Sequence, residues 1–163
     1  MDSTDIVRNL ISVGKYRAAF QALPTADIRR TSSSSQLLKA EVLAIVGDTV
    51  NATQVVETLR TLKTLSDVEK SHLEYVRSFI ALEQGAFEEE LQYLQKSIYH
   101  ADRAGDLERA CWAQFCLGTH LADKPGPDAL ESLVTSMRNN AIKLGEPKIT
   151  AALHILVGLI DAK

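Results

Sequence analysis

The chain has 163 residues, 45% of them apolar, 24% charged and 6% aromatic, with a net charge of -3. That is enough for one domain with a real core, and the acidic balance argues against a generic nucleic-acid binder, which carries surplus Lys and Arg on one face. Two cysteines make no disulfide framework, the first residues carry Asp2, Asp5, Arg8 and Lys15, and no window is apolar over the ~18 residues a spanning helix needs. The expectation is a cytoplasmic protein that engages neither nucleic acid nor membrane.

Leu, Ala, Glu, Gln and Lys dominate between the glycine and proline breaks, and strict apolar–polar alternation is absent, so the chain reads as all-α. Nine helices are expected. The first covers about 3–13 and the second 15–23, parted by Gly14. The stretch from Arg29 and Arg30 through Thr31 to Ser35 has no apolar residue and reads as a polar connector whose last serines cap a third helix, 34–46. An Arg-Arg-x-Ser docking or kinase site is its functional alternative. A fourth helix spans about 50–62. Ser66 and Glu69 have the spacing of a capping box for the fifth, which runs to residue 84. Glu88, Glu89 and Glu90 lie in the first turn of the sixth, 86–104, where carboxylates meet the positive end of the helix dipole. The seventh covers 106–122. Pro127 and Pro147 suit first-turn positions of the eighth (127–144) and ninth (147–161), where a missing N–H costs nothing.

The glycines are spaced regularly. Gly105 and Gly145 are 40 residues apart, as are Gly118 and Gly158, and the same shift lays Leu94 on Val134, Phe115 on Ile155 and Leu117 on Val157. A fixed period in this range marks stacked helical hairpins, each burying a face that it cannot bury alone. Gly118 and Gly158 fall inside helices, where close approach of a neighbouring helix would account for them.

The turns carry a family pattern, Gly-x-aromatic-x-x-Ala. It appears as Gly14-Lys15-Tyr16-Arg17-Ala18-Ala19, and in altered form from Gly47 to Ala52 and from Gly85 to Glu90. With Leu117-Gly118 and Val157-Gly158 as first-helix pairs, the chain resembles the tetratricopeptide repeat family. Its longer repeats are similar to those in sensor and regulatory regions of bacterial signal-transduction proteins. The resemblance implies an α-solenoid of about four stacked antiparallel hairpins plus a C-terminal helix, as one domain over 1–163. The repeats fall at about 1–33, 34–65, 66–105 and 106–145, and the extra helix at 146–162.

No enzyme pattern is found. His72, His100, His120 and His154 form no His-Glu-x-x-His, and His100 and Asp102 point apart at a spacing of two on a helix. Cys111 and Cys116 lack the pairing and further ligands of a zinc site and read as small apolar residues. Val13-Gly14-Lys15 lacks the rest of a phosphate loop, and Asn51-Ala52-Thr53 is a chance sequon. No catalytic residue, cofactor or metal is expected, and the chain reads as a non-catalytic protein–protein interaction module.

In the family the first helix of each pair lines the concave surface. The resemblance therefore implies inner positions at Leu37, Glu41 and Ala44 on the third helix, and at His72, Tyr75, Phe79 and Glu83 on the fifth. On the seventh they are Trp112, Phe115 and Thr119. The candidate groove for a protein or peptide partner is Glu41, His72, Tyr75, Phe79, Trp112, Phe115 and Thr119. The alternative is that the rings fill the core, because spacings of three and four also serve a buried face. A small-effector sensor is the lesser functional alternative. The basic residues of the family's carboxylate clamp are replaced by Leu38, Glu41 and uncharged side chains, so recognition of an acidic peptide terminus is not expected.

The last helix, 149–160, is apolar nearly all round. Ile149, Leu153, Leu156, Val157 and Ile160 are the candidate self-association or domain-docking face, which would make a homodimer. The other readings are that the natural chain continues into a further repeat or domain, or that this helix is turned inward and covered.

Overall fold

The computed structural model describes residues 3–23, 32–61, 64–122 and 128–162. Among them are nine α-helices and no strand. In order they are α1 (Ser3–Ser12), α2 (Tyr16–Ala22), α3 (Ser33–Ile45), α4 (Thr49–Arg60) and α5 (Asp67–Glu83). They continue with α6 (Phe87–Ala104), α7 (Leu107–Ala122), α8 (Asp128–Leu144) and α9 (Pro147–Asp161). The expectations for Arg29, Arg30, Thr31 and Pro127, and for the end of the fourth helix at residue 62, lie outside the described residues. Among the described residues no helix is long and apolar enough to cross a membrane.

Local chemistry sets the helix ends. Ser66 Oγ accepts the Glu69 N–H at 3.3 Å while Glu69 Oε2 accepts the Ser66 N–H at 2.9 Å, the reciprocal box that the spacing predicts. At α3 the cap comes earlier than expected: Ser32 Oγ accepts the Ser35 N–H, so the later serines are helical rather than connector. One capping hydroxyl is sufficient to start the helix.

Three turns between helices in contact share one geometry. Gly14, Gly47 and Gly85 have φ of 72°, 86° and 71°, in the left-handed region that a side chain disfavours. The residues after them, Lys15, Asp48 and Ala86, have ψ of 57°, 65° and 63°. Their N–H groups donate to the carbonyls of Leu10, Leu43 and Ala81 at 2.8, 2.9 and 2.9 Å. This six-residue closure satisfies carbonyls that a helix end leaves unpaired.

Packing follows chain order. α1, α3, α5 and α7 pack on α2, α4, α6 and α8 respectively, and α1·α3, α3·α5, α5·α7 and α7·α9 are also in contact. Buried apolar residues form successive pools, from Val7, Ala19, Leu38 and Val42 at one end to Met137, Ile149, Leu153 and Leu156 at the other. Between α5 and α6, Ser71 Oγ donates to the Ser97 carbonyl at 2.8 Å and Ser97 Oγ donates to the Ser71 carbonyl at 2.9 Å. Small hydroxyls so placed let the two backbones approach with every polar atom of the clasp paired.

The two mid-helix glycines differ. A Cβ on Gly118 would sit 2.8 Å from Leu156 Cδ1 and 3.0 Å from Leu133 Cδ2, so α9 crosses α7 where a side chain is missing. Nothing lies within 4 Å of a Cβ on Gly158, which corrects the expectation of a close neighbour there. That glycine only weakens its helix. Gly158→Ala is expected to stabilise the fold by roughly 0.5–1 kcal/mol and raise Tm by ~1–4 °C, measured by thermal unfolding.

α9 is turned inward over much of the face expected to dock elsewhere. Ile149, Leu153 and Leu156 are buried with Met137 and Val134 of α8 and Cys111 of α7, and Val157 and Ile160 are half-buried beside them. The chain itself covers these residues, and Ile155 is the large apolar side chain of α9 left exposed. A helix apolar nearly all round has more than one face able to serve as core, and contact with both α7 and α8 uses two of them.

Candidate functional site

The odd-numbered helices surround a cavity of about 450 Å³. Six of the seven expected groove residues, Glu41, His72, Tyr75, Phe79, Trp112 and Phe115, line it together, as does Leu37. Thr119 does not; its hydroxyl bonds back to the Cys116 carbonyl at 2.7 Å. Ala44, also expected inside, is buried in the core with Val55 and Leu59 of α4. Lys148 of α9 reaches the Ser12 carbonyl at the end of α1 at 3.3 Å, so α1 and α9 meet beside the cavity.

A buried polar cluster forms its base. Glu41, only 6% exposed, receives a 2.6 Å hydrogen bond from His72 Nε2, and Arg109 Nη1 lies 3.6 Å from its other oxygen. Burial alone would raise the Glu41 carboxyl, but attraction from Arg109, the charge that His72 carries at low pH and the His72 hydrogen bond outweigh it and hold it at about 2. His72 is pushed below its ordinary value by burial and then by Arg109. The imidazole is therefore neutral at pH 7, with Nε2–H facing Glu41. The cluster ties α3, α5 and α7 together at the floor of the cavity.

Aromatic rings form the walls. The Arg109 guanidinium lies 4.7 Å from the centre of the Tyr75 ring, a cation–π distance. Tyr75 meets Phe79 edge-on at 5.0 Å, and Trp112 meets Phe115 edge-on at 6.2 Å. The choice between groove and core is not exclusive. Tyr75 is buried with Leu94 and Leu117, and Phe79, Trp112 and Phe115 are half-buried against the core while also bordering the cavity.

Burial pushes the thiols of Cys111 and Cys116 up to about 11, so neither is a thiolate nucleophile near neutral pH. Among the described residues no three His, Cys, Asp or Glu side chains are grouped to hold a metal ion.

Arg8, Tyr16, Asp106, Arg109, Cys116 and Lys148 also line the cavity and were not anticipated. Arg109 and Cys116 had a usable signal, since they precede and follow Trp112 by one turn on the same face. The histidine pairings had none. His72–Glu41, His100–Asp67 and His120–Glu90 each join two helices across separations of 31, 33 and 30 residues. Each separation is near one repeat, but which carboxylate meets which ring depends on helix rotation.

The buried cluster predicts an acid-labile fold. His72 has a folded value below its unfolded 6.5, so the unfolded chain takes up a proton first and stability falls as pH drops through 6.5. Glu41 adds stability that is complete above 4.5 and lost as pH falls toward 2. Urea midpoints should be highest above pH 7 and decline steadily below it, and Glu41→Gln should lessen the part of the decline below 4.5, leaving the share of Asp67, which its hydrogen bond from His100 also holds low.

No protein-family model matches the chain, and neither the curated proteins nor the solved structures yield a match. The functional reading therefore stands on the cavity and its residues.

Proposed function

We propose that the protein is a non-catalytic protein–protein interaction module, a tetratricopeptide-like superhelix that holds a short segment of its partner against its inner surface. The observation that carries this reading is the origin of the cavity lining. Apart from Tyr16 at the start of α2 and Asp106 just before α7, the lining comes from α1, α3, α5, α7 and α9, and none comes from α4, α6 or α8. A lining drawn mainly from one helix of each pair is what a row of like hairpins would give, and it supports this reading. The three turns of common geometry and the successive contacts of odd-numbered helices support the same arrangement.

The chemistry suits binding. Rigid rings give contact area at low entropy cost, while the Glu41–His72–Arg109 cluster supplies fixed polar partners. A space of about 450 Å³ accepts a few side chains rather than a whole helix. A regulatory region of a longer cytoplasmic protein is the setting in which such a module would act.

The test is selection from a displayed library of random peptides against the wild-type chain, followed by titration of the purified winners. Selected peptides are expected to bind in the micromolar range and to lose about tenfold or more on Trp112→Ala. Failure to recover any peptide binding better than ~1 mM, or winners indifferent to Trp112, would refute the reading.

A further inference from the structure

The charges around the cavity are unequally committed. Glu41 is held by His72 and Arg109, Glu69 accepts from Ser66 at the α5 cap, and Asp106 accepts the Arg109 backbone N–H at 3.1 Å. Among the described acidic lining residues only Glu108 is without such a bond, and it is solvent-exposed in the first turn of α7. The cations are engaged more weakly. Arg109 approaches one carboxylate oxygen at 3.6 Å, well beyond the ~2.7–2.9 Å of a charge-assisted hydrogen bond. Most of its five N–H donors are left for an incoming group. Lys148 reaches a single carbonyl at 3.3 Å, and Arg8 lies 3.6 Å from the exposed Asp5.

Shape narrows the ligand further. The Arg109 guanidinium lies over the Tyr75 ring at 4.7 Å, so a flat cation already sits beside an aromatic wall of the cavity, with Trp112 one turn along the same helix. A planar guanidinium fork matches the two oxygens of a carboxylate, and aromatic walls match a flat apolar body. The volume is that of a small-molecule site. Among the described lining residues, a cationic ligand would find one carboxylate without a hydrogen bond, the solvent-exposed Glu108.

We propose that the cavity binds a small aromatic carboxylate, its anion on Arg109 and its ring against Tyr75, Trp112 and Phe115. This rests on the cavity being a binding site but not on a protein partner. Peptides that bind where small acids do not would sink this inference alone, and the reverse result would sink only the partner reading.

Calorimetric titration of the whole chain with 2-naphthoate, and with 2-naphthylmethanol and 2-naphthylmethylamine as neutral and cationic counterparts, reads the charge preference. The naphthoate is expected to bind about tenfold or more tighter than either counterpart. Arg109→Lys, which keeps the charge but not the fork, should retain a reduced preference. Since Arg109→Gln alone leaves Glu41 without its cation, the decisive variant is the double change Glu41→Gln with Arg109→Gln, its fold checked by circular dichroism. That variant should bind acid and alcohol equally; should it not fold, loss of preference in Arg109→Lys below that of the wild type is the required result. Equal binding of all three compounds to the wild type, preference for the amine, no binding at ~1 mM, or a full preference surviving both variants would overturn the proposal.

Discussion

Arg109→Ala is expected to destabilise the protein by about 3 kcal/mol at neutral pH, at the lower end of what breaking a buried ion pair costs. The loss arises less from the contact itself, which at 3.6 Å is loose, than from what remains. Glu41 is 6% exposed, and with Arg109 gone its charge is faced only by a neutral imidazole. The chain then either keeps an uncompensated carboxylate or draws a proton onto His72, and each alternative costs folding free energy. Two signatures distinguish this from simple loss of packing. The deficit should shrink between pH 8 and pH 6, because a protonated His72 can replace the missing cation. The combined change Glu41→Gln with Arg109→Gln should recover most of the stability, since it removes both charges and leaves groups able to hydrogen-bond. Urea unfolding of the three proteins at the two pH values checks both.

The second large effect concerns the crossing of α7 and α9. Leu156 is fully buried, and its two methyl groups lie 2.8 and 2.9 Å from the position of a Cβ on Gly118. Leu156→Ala should cost about 3 kcal/mol, since it removes buried methyls and leaves a cavity between the helices. Gly118→Ala alone should cost about 1 kcal/mol, because displacement of a packed leucine outweighs the gain in helix propensity. Together the changes should be less harmful than their sum by ~1 kcal/mol or more, as the new methyl enters the space the leucine vacates. Strict additivity in unfolding experiments would mean that the two residues do not share the crossing. The contrast with Gly158 is useful here: the same glycine pair at a spacing of 40 residues reads alike in sequence, yet only Gly118 meets another helix.

The elements were legible because their signals are local. Ser66 and Glu69 define a cap from four residues of sequence, and Gly14, Gly47 and Gly85 mark turns by their backbone freedom. The aromatic part of the candidate site was also readable, because Tyr75 and Phe79, and Trp112 and Phe115, follow helical spacing within one element. Properties set by the meeting of elements were not. Arg8 and Lys148 come to the cavity from helices 140 residues apart in sequence, and no spacing rule connects them. The burial of Ile149, Leu153 and Leu156 was one of three open outcomes, since an evenly apolar helix does not state which side faces the core. Thr119 has the right period for the inner face but lies beyond the turn of α7 that borders the cavity.

The most direct measurement uses the single tryptophan of the chain. Trp112 borders the cavity, so 5-fluorotryptophan incorporated biosynthetically gives one fluorine resonance at the proposed site. Titration with a selected peptide should shift or broaden that resonance in step with binding followed by calorimetry, and Arg109→Lys should move both curves together. A resonance that stays unmoved while the peptide saturates the protein would place binding elsewhere and contradict the account.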